Sequence, residues 1–201
     1  MKNVLIAPAF LAMGTIALAN STTESPIFDL DPETAELGEQ RPETDFSTLR
    51  RRERMVKYTI ETSGLLEASP HTVWLVVYNY PEYCQTTPCG LLDLPFVPGH
   101  DPRVQASFVN AGGGVSNYDG TGQFSGTVYA ASRGLNSSEV VVGPGMINAR
   151  GSQIDIVLRF HGQPANLSDL LAAIKEYRGA CNDSNFVQPP CGDYQISAHL
   201  P

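Results

Sequence analysis

The chain has 201 residues with 21 Asp+Glu against 13 Lys+Arg, a formal net charge of −8. That is long enough for one domain with a real core. The acidic balance repels phosphate backbones and argues against a nucleic-acid partner.

Lys2 opens the chain, and no charge follows from Val4 to Ala19. The apolar run is broken by Pro8 and Gly14 and ends Ala17-Leu18-Ala19, a small-x-small exit before polar Asn20-Ser21-Thr22-Thr23. This order predicts a signal peptide over residues 1–19, cleaved after Ala19. A transmembrane anchor would need about 20 predominantly apolar residues, and this run is shorter. No later segment is long and apolar enough to span a bilayer, so no transmembrane anchor is expected. Cleavage would leave 201 − 19 = 182 residues and, with Lys2 lost, move the net charge from −8 to −9. The expected location is secreted or periplasmic.

Residues 20–47 are rich in Ser, Thr, Pro and acids, with Arg41 the one basic residue. The charge then reverses at Arg50, Arg51, Arg52, Arg54 and Lys57. Few large apolar residues occur, so 20–54 reads as a disordered acidic-then-basic tail. A short helix over 32–37 is an option within it. The basic block reads as a solvated face in preference to an anionic-surface patch.

The folded domain is expected over 55–201. Val56–Glu61 alternates apolar and polar residues. Thr72–Tyr78 is a near-continuous apolar run suited to a central strand buried on both faces. Val104–Val109, Gly122–Ala131, Glu139–Val142, Gln153–Phe160 and Tyr194–Leu200 read as further strands, and Asp119-Gly120 as a hairpin turn. In Gln153–Phe160 the residues Ile154, Ile156, Leu158 and Phe160 share one face, with Asp155, Arg159 and then His161 on the other. One amphipathic helix is predicted, capped by Asn166, with Leu167, Leu170, Leu171, Ile174 and Tyr177 at helical spacing and Gly179 to stop it. About seven short strands with Gly and Pro turns predict a mainly β fold, an antiparallel β-sandwich or barrel-like domain with one α-helix.

The four cysteines are Cys84, Cys89, Cys181 and Cys191. An even count in an exported chain reads as disulfides. Three connectivities are open, and the local one, Cys84–Cys89 with Cys181–Cys191, is preferred because each pair brackets a turn-rich loop. A zinc site is the rival, but the second pair is spaced too widely for a zinc knuckle.

Candidate chemistry is sparse. His161 and His199 each sit on the polar face of a predicted strand and could meet if those strands pair, which would give a copper or zinc site. Neither belongs to a local ligand motif such as H-x-H or H-E-x-x-H. No Gly-x-Ser-x-Gly elbow is present. Gly112-Gly113-Gly114 lacks the Gly-Lys-Ser/Thr of a phosphate loop and reads as a mobile connection between strands. Tyr80 and Tyr83, beside Pro81 and the first cysteine loop, are the candidate ligand-binding aromatics.

The block His71–Asn79, Pro81-Glu82 with the first two cysteines, Gly143-Pro144-Gly145, the stretch from Ile154 to Gly162 and the ending from Cys191 to His199 resemble a group of uncharacterised secreted bacterial proteins. The likeness spans roughly residues 70–200. The alternation of Gly-rich turns and strands also resembles the CHRD (chordin-type) β-domain, without its His-x-His-x-Gly stretch. Both resemblances imply a β-rich extracytoplasmic domain and bring no catalytic residue.

These features predict an exported, non-catalytic binding or structural module, monomeric and without a cofactor, that contacts a protein or glycan. A metal-binding protein using His161 and His199, or a hydrolase, are the alternatives.

Overall fold

The computed structural model describes residues 20–31, 34, 36–130, 140–162 and 192–201. The leader, the predicted helix and the Cys181–Cys191 pair lie outside these residues. The strands are β1 (Ser21–Pro26), β2 (Phe28–Leu30), β3 (Leu37–Gln40), β4 (Phe46–Arg52), β5 (Met55–Thr62), β6 (Pro70–Tyr78), β7 (Ala106–Val115), β8 (Gly122–Tyr129), β9 (Val140–Val142), β10 (Gln153–Phe160) and β11 (Gly192–His199). They form two antiparallel sheets, one ordered β1-β4-β5-β8 and the other β3-β2-β11-β10-β6-β7-β9. The architecture is a β-sandwich, not a closed barrel.

The inner face of β6 (Val73, Leu75, Val77) and that of β10 (Ile154, Ile156, Leu158) pack against Leu49, Val56, Tyr58, Ile60, Phe124 and Val128 of the smaller sheet. Burying each such aliphatic side chain is worth about 1.5–3 kcal/mol. The outer face of β6 builds a second core: Trp74, Val76 and Tyr78 pack with Cys89, Leu94, Val104 and Val157. All nine residues of β6 are buried. The chain between β6 and β7 folds back over its own sheet, which explains why the apolar run does not alternate.

Residues 20–54 are not a disordered tail: they contribute β1 to β4. The alternation that carries β4 inward runs Ser47, Leu49, Arg51, all fully buried. Arg51 is the reason the strand is hidden in the sequence. Its guanidinium donates to four backbone carbonyls, those of Ala149 at 3.0 Å, Ser152 at 2.8 Å, His199 at 2.9 Å and Leu200 at 3.1 Å. The basic block is therefore partly structural, with Arg51 tying the small sheet to the end of β11.

The triple glycine is part of β7, not a connection. The register with β6 shifts between Val73 and Trp74. At Gly113 a Cβ would run into the His71 carbonyl, so the two backbones approach closely only because glycine stands there.

Candidate functional site

The segment 79–105 leaves β6 and returns to β7, and its base is tied at several points. Tyr80 N–H donates to the Val104 carbonyl at 3.1 Å. Asn79 Nδ2 donates to the carbonyls of Gln105 and Gly145, both at 2.8 Å, while its Oδ1 accepts from Ile147 N–H at 2.7 Å. Short 3-10 turns at Pro81–Tyr83, Leu91–Asp93 and Pro102–Val104 shape the path. Proline at the start of the first and last turns pre-sets the backbone and removes a donor that would have no partner.

Cys84 and Cys89 form a disulfide. Just beyond it, buried Asp93 accepts from Gln85 N–H at 2.8 Å through Oδ1 and from Gly90 N–H at 2.9 Å through Oδ2. Cys84, Cys89 and Asp93 bring three donor groups within 4.8 Å of one another. The two sulfurs are spent on each other, and the carboxylate is spent on the two amides. The cluster is a loop brace, not a metal site.

On this braced loop four large apolar side chains face solvent: Tyr83 at 39 %, Leu91 at 55 %, Leu92 at 56 % and Phe96 at 64 % exposed. The Phe96 ring leans on Phe108 with centroids 5.5 Å apart. Arg103 lies 4.5 Å over the Tyr83 ring, a cation–π contact. Asp101 holds Arg103 in place through Nε, which is 3.0 Å from both carboxylate oxygens. The hydrogen-bonded guanidinium in turn holds the Asp101 carboxyl down at about 2. Beside the loop a hollow of about 220 Å³ is bordered by Pro81, Glu82, Cys89, Gln153 and Leu200.

Of the two expected aromatics, Tyr83 is exposed with one face under Arg103, while Tyr80 is only half-exposed and anchors the loop base through its backbone. Leu91, Leu92 and Phe96 were not singled out from the sequence. The available signal was an apolar Leu91-Leu92 and Leu94-Pro95-Phe96 run inside a Gly- and Pro-rich stretch, where solvent-facing residues are expected to be polar.

The two candidate metal histidines do not meet. His199 pairs with Ile154 at one end of β10, and His161 follows Phe160 at the other. Seven residues of strand separate them, roughly 23 Å at about 3.3 Å per residue. Each is committed locally. His161 Nε2 is 2.6 Å from Thr72 Oγ1, which also accepts from Trp74 Nε1 at 2.8 Å. His199 Nε2 is 2.7 Å from Ser47 Oγ and its Nδ1 is 2.9 Å from Thr23 Oγ1.

The polar face of β11 is the face turned toward the small sheet, not the solvent face its composition suggests. Gln195, Ser197 and His199 are all buried there. Ser47 and Ser197 share a hydrogen bond, and Thr62 Oγ1 donates to Gln195 Oε1 at 2.7 Å.

Ser47 and His199 have the spacing of a nucleophile and its base. The arrangement lacks the rest of the chemistry. Ser47 has no exposed surface, His199 has 1 %, and the outer imidazole nitrogen faces a threonine where an orienting carboxylate would sit. Burial, and secondarily the Arg51 charge, depress His199 to about 4, so it stays neutral. The cluster satisfies polar groups between the sheets.

Comparison with family models, with curated proteins and with solved structures finds no match for this chain.

Proposed function

We propose that the chain is an exported, non-catalytic binding module that captures a partner protein on the disulfide-braced loop 79–105. The observation that carries this reading is the exposure of Leu91, Leu92, Phe96 and Tyr83 on a segment whose backbone is tied at its base. Exposed apolar side chains on a fixed scaffold are what a recognition surface needs, because little conformational entropy remains to be lost on association. A central aromatic and aliphatic cluster is the usual energetic centre of a protein interface.

Protein is favoured over glycan by the side chains themselves. Leu91 and Leu92 offer no flat face for a sugar ring, and one face of Tyr83 is occupied by Arg103. Export rests on the signal-like first nineteen residues, and the Cys84–Cys89 disulfide is in keeping with an oxidising compartment. Among the described residues no helix is long and apolar enough to cross a membrane. The resemblance to secreted bacterial proteins points to the periplasm or the cell surface.

A photo-reactive amino acid placed at Leu92, in cells that make the protein, tests the reading. The expected result is one discrete adduct, competed by excess purified chain and absent when the probe sits at Tyr118. No adduct, or the same adducts from both positions, would overturn it.

A further inference from the structure

The opposite end of β6 from the disulfide loop carries a cavity of about 70 Å³, bordered by Asp29, Leu65, Leu66, His71, Phe160 and Tyr194. Its walls are mostly apolar. Two of its polar side chains, Asp29 and Gln195, have partners elsewhere, and one, His71, has a ring nitrogen to spare. Asp29 pairs with Arg41 at 3.4 Å. Gln195, which also borders the cavity, accepts from Thr62 at 2.7 Å and donates to the Ser63 carbonyl at 3.0 Å.

The His71 Nδ1 lies 2.9 Å from the Ser69 carbonyl oxygen, which can only accept. Nδ1 therefore carries the proton, and in the neutral ring Nε2 is left as an acceptor. The ring is 1 % exposed and packs against Phe124 and Phe160. Burial, opposed by the Ser69 hydrogen bond and helped by the nearby His161, lowers its pKa to about 4, so the neutral form persists. Nε2 has no hydrogen-bond partner among the described residues. His71 is one of the residues that border the cavity.

We propose that this cavity is a binding site for a small neutral alcohol, with His71 Nε2 accepting the hydroxyl proton and Leu65, Leu66 and Phe160 enclosing its apolar body. The volume matches a short body: a water needs about 10–15 Å³ by the same measure, so the space equals several waters. The chemistry follows from what the walls lack. An amide ligand would bring a carbonyl as well as an N–H, and one of the two Gln195 N–H groups is already given to Ser63. A carboxylate would meet Asp29 and a neutral imidazole. A hydroxyl group gives Nε2 the one bond it lacks and asks for little in return.

The probe pair is 2-propanol and acetone, nearly the same shape with and without the O–H. Titrating each into the ¹⁵N-histidine- and methyl-labelled full chain, with NMR detection, reads the site directly. The expected result is a saturable shift of His71 Nε2 and of the Leu65 and Leu66 methyls with 2-propanol. Acetone should bind at least about tenfold more weakly, because it leaves Nε2 unpaired. His71→Phe should erase the preference for the alcohol, and if that variant fails to fold the comparison in the unaltered chain still decides. Non-saturating shifts, or equal affinity for both probes, would overturn the proposal and leave a cavity that holds only water.

Discussion

Gln153 and the backbone of Cys89 grip each other through two hydrogen bonds. The Cys89 N–H donates to Gln153 Oε1 at 2.8 Å, and Gln153 Nε2 donates to the Cys89 carbonyl at 3.1 Å. Gln153 is the first residue of β10, so one side chain from the large sheet pairs the loop as a neighbouring strand would. Gln153→Ala would leave a buried N–H and a buried carbonyl without partners. We expect it to cost about 2–6 kcal/mol, since each such group costs about 1–3 kcal/mol. Urea denaturation with an unchanged slope and a lower midpoint would check this; an unchanged midpoint would mean that the loop does not depend on the pair.

The Cys84–Cys89 disulfide closes a small loop. The chain-entropy relation gives about 2 kcal/mol for a loop of that size. Replacing both cysteines by alanine should lower stability by that amount. It should also speed amide exchange at Gln85 and Gly90, whose N–H groups Asp93 holds. Exchange confined to other loops would argue against the bridge as the brace.

Arg51 is a buried cation with no carboxylate partner among its hydrogen bonds; its two terminal nitrogens donate to four carbonyls, while its Nε has no partner. Desolvation lowers its pKa to about 10, which leaves it charged at neutral pH. Arg51→Met strips four acceptors of their donor and should cost about 3–5 kcal/mol. Arg51→Lys should recover only part of this, because an ammonium lacks the planar fork that reaches all four. Equal stability of the lysine variant and the native chain would contradict this role.

Two opposing pH dependences are built into the sandwich. Burial holds the folded-state pKa of His71 and His199 at about 4, below the ordinary 6.5. The stability they contribute is present above pH 6.5 and is lost as the pH falls toward 4. Burial raises Asp155 to about 7, against the lowering effect of the hydrogen bond from Gln153, and this acts in the opposite sense. Its contribution is present below pH 3.8 and is lost as the pH rises through 7. Asp155→Asn should therefore be more stable than the native chain at pH 8, with the gain disappearing toward pH 4. Urea midpoints measured from pH 4 to 8 read both effects. A gain for the variant that grows as the pH falls would reverse the assignment.

Most strands from Met55 onward are legible in the sequence because their apolar residues either alternate or run unbroken; β7 is read only in its first half, since its triple glycine looks like a connection. β5, β6, β8 and β10 fall close to their expected bounds. The first four strands are not legible. Their inward positions are taken by Ser47 and Arg51 beside Leu49, and β1 buries almost nothing, so composition reads as tail where hydrogen bonding makes sheet. The same inversion misplaces His199. The face of β11 that looks solvent-exposed by polarity is the one sealed against Ser47 and Thr62. The cysteine loop is legible as a disulfide. Its exposed Leu91, Leu92 and Phe96 are not, because periodicity says nothing about irregular backbone.

The central claim is that the apolar surface of loop 79–105 is there for a partner and not for the fold. The most direct test is the Leu91→Ala/Phe96→Ala double variant, carrying the photo-reactive probe at position 92. Because both side chains are more than half exposed, stability should stay within about 0.5 kcal/mol of the unaltered chain. The adduct should be lost. A variant that unfolds, or one that folds and still yields the same adduct, would contradict the account.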